Sequence, residues 1–274
     1  MTQAKITFIG AGNMASSIVG GLVKKGFAAD SITATDPYQP SLDKLQQEFG
    51  VAISGDNGAA AKSADVIVLA IKPQVMEQVC RDLSPYLAHK PMIVSIAAGI
   101  DIDSLDAWLS NDLAIVRCMP NTPSLVQTGA SGLYANDVTS DEQKQLAHQI
   151  LEAVGIVQWL QSEALIDPVT AVSGSGPAYF FLFMEAMIDA GIAQGLSREN
   201  ATELTLQTAL GAAKLAQGSD VDVAELRRRV TSPNGTTEQA VLSFEQQGLR
   251  ETVANAMKAC ADRSVEMAKE LGAS

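Results

Sequence analysis

Through the first 160 residues, short runs of apolar and β-branched residues alternate with stretches of helical period, as a parallel sheet covered on both faces requires. The pattern predicts strands at residues 4–9, 31–35, 51–53, 65–71, 91–97 and 112–118. Helical patterns lie between them at 12–25, 39–48, 56–63, 74–84 and 101–109. A strand near 130–134, a helix over 140–153 and a strand near 156–160 complete this half. After Glu163 the strand signals stop, and four or five helices run to the C-terminus. The expected organisation is a doubly wound α/β domain over residues 1–162 followed by an all-α domain over residues 163–274.

The first helix of the second half, about 164–194, carries Ser173-Gly174-Ser175-Gly176-Pro177 in its middle, and interior Gly and Pro predict a kink. Beyond it, Ala178-Tyr179-Phe180-Phe181-Leu182-Phe183-Met184 is apolar around the whole helix. Such a helix must be covered on nearly every side, which a domain of about 110 residues does poorly alone. A second copy of the chain is the natural cover, so a homodimer is expected; a central helix buried within one subunit is the alternative. Ser197 is placed to cap a helix to about Gln217, and Asp222 with Glu225 reads as a capping box for a short helix through Val230.

The first strand runs directly into Gly10-Ala11-Gly12-Asn13-Met14-Ala15, and an alanine-rich helix follows. Two phosphates held by amides at a helix start need a tight turn (Gly10), room for close approach (Gly12) and a small residue for helix packing (Ala15). Alone, the spacing also fits a glycine-rich turn with no ligand. Its place at the opening of a βαβ unit favours a Rossmann-type dinucleotide site. Asp36, 21 residues after Ala15 at the end of the second strand, sits where an acid accepts ribose hydroxyls and repels a 2′-phosphate.

The net charge of −12 argues against non-specific nucleic-acid binding or attraction to an anionic membrane. It does not exclude a small anionic ligand, because nearby amide dipoles set the local field. The longest apolar runs, 66–71 and 178–184, are too short to span a bilayer, and the N-terminus lacks the pattern of a secretion signal; cytoplasm is the expectation. Cys80, Cys118 and Cys260 read as reduced core thiols, and with only His89 and His148 no metal site is expected. His148 is expected on a solvent face, Trp108 and Trp159 in packing, and 227–229 as a solvated run of arginines.

Thr231-Ser232-Pro233-Asn234-Gly235-Thr236-Thr237 is rich in turn formers and ends at a helix beginning at Glu238, with Thr236 and Gln239 at capping-box spacing. Were Thr236 the cap, the Thr237 hydroxyl would stay free at a helix start that favours a carboxylate. A capped helix with no ligand is the other reading.

Residues 172–179, followed by Glu185-Ala186-Met187 and Asp189-Ala190-Gly191, resemble the signature of pyrroline-5-carboxylate reductases. The likeness extends to residues 10–15, to Ala70-Ile71-Lys72-Pro73, Ser95-Ile96-Ala97-Ala98-Gly99 and Met119-Pro120-Asn121-Thr122-Pro123, and to residues 232–237. The resemblance implies reduction of the cyclic imine 1-pyrroline-5-carboxylate by NADPH or NADH, the last step of proline synthesis. It implies that Gly10, Ala11, Gly12, Asn13, Met14 and Ala15 hold the pyrophosphate and that Asn57 meets the adenosine half. Ala70, Ile71, Lys72, Pro73, Ile96, Ala97 and Ala98 would line the nicotinamide ribose side. Ser232, Asn234, Gly235, Thr236 and Thr237 would bind the substrate carboxylate, with the Thr237 hydroxyl near the ring nitrogen as the one catalytic group. In the family that turn is completed by a neighbouring subunit, which fits a homodimer and leaves room for a ring of dimers.

Two departures stand out. The family's Pro-Gly-Gly is Pro233-Asn234-Gly235 here, and Asn tolerates positive φ, so the turn survives with a side chain at the pocket rim. Asp36 favours NADH where the resemblance implies NADPH, so activity with both is expected. A cationic C=N is already a good electrophile, so holding two rings together without water needs no strong general acid. The competing readings are a β-hydroxyacid dehydrogenase, whose helix Lys-x-x-x-Asn is absent at Lys214 and Gly218, and a non-catalytic NAD(P)H-sensing regulator, which has no use for a carboxylate turn.

Overall fold

The computed structural model describes residues 4–110 and 112–272. Its contacts divide the chain into two compact units, Met1–Ser175 with Ala259–Ser274, and Gly176–Lys258.

The first unit holds eight strands: β1 (Ile6–Ile9), β2 (Ile32–Thr35), β3 (Ala52–Ser54), β4 (Val66–Leu69), β5 (Met92–Ser95), β6 (Ile115–Met119), β7 (Gly129–Ala135) and β8 (Gly155–Trp159). They form one sheet in the order β3-β2-β1-β4-β5-β6-β7-β8. All neighbours are parallel except β6 and β7, so the last two strands run against the other six. The strands β1, β4 and β5 are buried on both faces, which is why they read as nearly continuous apolar runs, with Thr7 and Ser95 their polar members.

One face is covered by α1 (Asn13–Lys24), α2 (Gln39–Phe49) and α6 (Asp141–Glu152), packing Ile18, Leu22, Leu42, Leu45 and Ile150 on Phe8, Val68 and Val94. The other is covered by α3 (Asn57–Ala61), α4 (Met76–Leu83) and α5 (Ile102–Leu109), packing Met76, Leu83, Leu105 and Trp108 on Ile9, Ile67 and Ile93. The alternation follows from the two-residue period of a strand. Cys80 and Cys118 lie in these layers; burial pushes the Cys80 thiol up to about 12 and raises Cys118 as well, so both stay protonated and inert near neutral pH. His148 is partly exposed beside Glu152 on α6. Trp159, expected in packing, is 36% exposed on the edge strand β8, where the sheet has no further neighbour.

The expected kink at residues 173–177 is a change of helix type. After α7 (Ile166–Val169) the chain makes a π-helical turn over Thr170–Gly174, closed by Ser175 N donating to Thr170 O at 2.8 Å, and then enters α8 (Gly176–Ala193). Pro177 falls in the first turn of α8, where its missing N–H is harmless.

In the second unit, α8 is followed by α9 (Arg198–Gln217), α10 (Val223–Arg229), α11 (Thr236–Gln246) and the start of α12 (Leu249–Leu271). Ser197 caps α9 as expected. Asp222 caps α10 through Glu225 N, but only this half of the expected box forms. Gly176, Ala201 and Thr205 are the buried residues of this unit. Phe183 and Phe244 meet with ring centroids 6.0 Å apart, while Phe180, Phe181 and Leu182 lie exposed. The end of α12 belongs to the first unit: Ser264 Oγ donates to Asp167 Oδ1 at 2.6 Å, and Met267 packs on Gly99.

Candidate functional site

The parallel strands β1 to β5 all point their C-terminal ends to one edge, and there the topology gathers the loops after Ile9, Thr35, Ser54, Leu69 and Ser95. All of the expected nucleotide residues lie on these loops or the helix turns they lead into, at the edge where open α/β sheets bind ligands.

Gly10 turns the chain at φ +104, and a Cβ there would lie 2.4 Å from the Ala70 carbonyl oxygen. Only glycine fits. Its N–H donates to Thr35 O at 2.8 Å, and Ala70 N donates to Ile9 O at 2.8 Å, so the turn is tied to both neighbouring strands. Gly12 differs: its φ of −73° and ψ of −177° suit any residue, and a Cβ there would meet nothing within 4 Å. It opens α1 with no side-chain cap. Open space in front of helix-start amides that no side chain caps suits a pyrophosphate. Asn13 and Met14 form that first turn, and Ala15 is buried against the sheet.

The Asp36 carboxylate is already engaged by backbone. Oδ2 accepts from Ala11 N and Oδ1 from Tyr38 N, each at 2.8 Å, which fixes the charge beside the glycine turn. Each oxygen keeps a lone pair for a further donor. Tyr38 is 64% exposed next to it. Asn57 is the first residue of α3, whose cap Asp56 accepts from Ala59 N. Ala70, Ile71 and Pro73 are half-buried and Lys72 is exposed; Ile96 and Ala98 are half-buried and Ala97 is buried.

An ion pair that sequence reasoning missed ties the far end of the loop containing Ile96–Ala98 to β6. Arg117 is 4% exposed, sits opposite Ser95 in the β5–β6 register, and donates from Nη1 to Glu163 Oε1 at 2.9 Å. The same oxygen accepts from Ile102 N at 2.8 Å, where the loop enters α5. Arg117 Nε and Nη2 have no partner, so Glu163 is the counter-charge of a buried guanidinium. The available signal was one arginine inside the apolar run Ile115-Val116-Arg117-Cys118-Met119. Removing one member of a buried pair is costly, about 3–5 kcal/mol. Glu163→Ala is therefore expected to lower the melting temperature by roughly 10 °C. Arg117→Met combined with Glu163→Gln should recover much of that loss by calorimetry, because the buried charge is gone and Ile102 keeps its acceptor.

Asn121 is structural: it donates to Ser173 O at 3.0 Å and accepts from Ala130 N at 2.9 Å, joining the loop after β6 to β7 and the π-helical turn.

In the second unit, the 232–237 turn departs from its expected capping. Gly235, not Thr236, is the N-cap of α11; Thr236 is the first helical residue, and the expected Thr236–Gln239 box does not form. Asn234 takes the left-handed conformation, φ +58, and so brings the helix start forward by one turn position. No side chain caps the first turn. By contrast, Asp101, Ser140, Ser197 and Asp222 cap α5, α6, α9 and α10. Ser232, Asn234, Thr236 and Thr237 are exposed and Gly235 is half-buried. Like α1, α11 starts on a glycine with unclaimed amides. Among the described residues no cluster of His, Cys, Asp and Glu is suited to a metal ion.

Comparison with known proteins gives a consistent result over the full length. Residues 163–267 match the family model for pyrroline-5-carboxylate reductase dimerisation, and residues 5–99 the model described as NADP oxidoreductase coenzyme F420-dependent. The pyrroline-5-carboxylate reductase of Pseudomonas aeruginosa is 56% identical over 272 residues, covering 99% of this chain and 100% of that protein. The structure of a pyrroline-5-carboxylate reductase from Coxiella burnetii superposes with a TM-score of 0.93 at 44% identity, covering 100% of both chains. That of Plasmodium falciparum pyrroline carboxylate reductase with NADP bound gives 0.86 at 31%, covering 98% of this chain and 99% of that one.

Proposed function

The chain belongs to the pyrroline-5-carboxylate reductase family, and from this we propose that the 10–15 turn holds the pyrophosphate of NADPH or NADH while the 232–237 turn holds the carboxylate of 1-pyrroline-5-carboxylate. The reaction is reduction of the substrate C=N to give L-proline, the last step of proline biosynthesis. The bound nicotinamide supplies the hydride. The residues of the chain bind and orient: amides at the starts of α1 and α11 take the two anionic groups, and Thr237 positions the ring nitrogen and relays its proton. What carries this reading is that both turns open long helices on glycines with no side-chain acceptor of their own.

Self-association runs through the helical region, which matches the dimerisation model. The proposed unit is the homodimer, with a ring of dimers as the higher assembly and no nucleic-acid partner. No described helix is long and apolar enough to cross a membrane, and a cytoplasmic location is proposed.

The test mixes protein, the cyclic imine and either nucleotide while following nicotinamide absorbance and proline formation. Nucleotide binding without oxidation would favour a sensor and overturn the proposal. The same assay addresses Asp36. Two like unit charges about 8 Å apart, the scale of a carboxylate facing a 2′-phosphate, repel by roughly 2 kcal/mol at an effective dielectric of about 20. Asp36→Ser is expected to shift the NADPH to NADH ratio of kcat/KM by about 30-fold towards NADPH, with a parallel shift in Kd by fluorescence titration. An unchanged ratio would remove Asp36 from the ribose site.

A further inference from the structure

We infer that Glu238 is a positioning residue, a strut that keeps Asn234 left-handed and so shapes the substrate turn. The inference rests on assigning the 232–237 turn to the substrate carboxylate. Asn234 has φ +58, a conformation that an L-residue with a side chain adopts at a cost. The turn has few groups of its own to hold it there. Pro233 has no N–H, and the Gly235 N–H is used by Ser232 O at 3.0 Å. The Asn234 N–H is instead accepted by Glu238 Oε2 at 2.7 Å, from the third residue of α11. The turn is tight, since a Cβ on Gly235 would lie 3.0 Å from Ser232 O.

The bond also keeps Glu238 out of the way. A carboxylate at a helix start is attracted to the first-turn amides. Fastened to Asn234, upstream of the helix, it leaves the amides of Thr236, Thr237 and Glu238 without a side-chain acceptor. Losing the strut frees Asn234 to leave the left-handed region, and the turn then no longer presents those amides as one cradle. A glycine at 234 would enter this conformation without the steric penalty, so the turn would depend less on the strut.

The test is a mutant cycle read by steady-state kinetics in the imine, nucleotide titration and thermal unfolding. A hydrogen bond to a charged group is worth about 1.5 kcal/mol, so Glu238→Ala should raise KM for the imine about 10-fold. Expected alongside are a kcat within about threefold of the parent and an unchanged nucleotide Kd. Asn234→Gly added to Glu238→Ala should return KM to within about threefold of wild type. Glu238→Gln, which retains an acceptor oxygen, carries the same cycle in near-isosteric form and should show the smaller defect. An unchanged KM in Glu238→Ala, or a rise that Asn234→Gly fails to rescue, would overturn the strut. Thr237→Ala separates the two levels: a Thr237 defect beside a silent Glu238→Ala sinks the strut alone, whereas unchanged kinetics for Thr237→Ala sink the site assignment and the strut together.

Discussion

Gly12→Ala is expected to weaken NADPH and NADH about 100-fold while changing the stability of the unliganded protein by no more than about 1 kcal/mol. Two glycines two residues apart answer to different demands. Gly10 is required by the protein itself: φ is +104 and a methyl group would press on the Ala70 carbonyl at 2.4 Å. Gly10→Ala should therefore cost about 2–4 kcal/mol of folding stability before any ligand is added. Nothing in the unliganded fold requires glycine at 12, since its backbone is ordinary and the space around its Cβ position is open. A methyl group there projects into the open space where the proposed pyrophosphate approaches the α1 amides. A phosphate displaced from those amides loses one or two charge-assisted hydrogen bonds of about 1.5–3 kcal/mol each, which gives the 100-fold figure. Calorimetric melting separates the two glycines, and fluorescence titration measures the affinity. Wild-type affinity in Gly12→Ala would place the pyrophosphate elsewhere.

The sheet was legible because of where its strands lie. The central strands, buried on both faces, leave nearly continuous apolar runs, and the loops between them carry the glycines and the acid assigned to the proposed nucleotide edge. Strand direction left no such trace, because a two-residue period looks alike either way. The reversal at β7 shows only in the connection from Met119 to Gly129, too short for a covering helix and filled by a 3-10 turn over Thr122–Val126. The start of α11 was displaced for a local reason: two consecutive threonines offer a plausible cap, and although Asn234 was expected to tolerate the positive φ it adopts, nothing in the sequence says that the turn hands the cap to Gly235. Arg117 and Glu163 lie 46 residues apart and meet only once β6 and the segment after β8 are assembled. Pairings of that kind are tertiary and leave no periodic signature.

The helical half gives the larger effect. Between residues 176 and 258 only Gly176, Ala201 and Thr205 are buried, and of α8 only Gly176 is. A unit with so little interior cannot offset its own chain entropy, so its apolar helix must be completed from outside. The match to a dimerisation family supplies the partner, a second copy. Phe181, 63% exposed in the single chain, is the residue we choose to test this. In a two-fold interface each substitution appears twice. At about 3 kcal/mol for each buried unpaired charge, Phe181→Asp should raise the dimer dissociation constant about 10⁴-fold. Sedimentation at micromolar concentration should then show monomer, with the helical unit loosened and turnover lost together, while Phe181→Leu keeps both assembly and activity. Full activity in a monomeric Phe181→Asp protein would show that the proposed substrate turn needs no neighbour, and an intact dimer would show that α8 is covered by something other than its own copy.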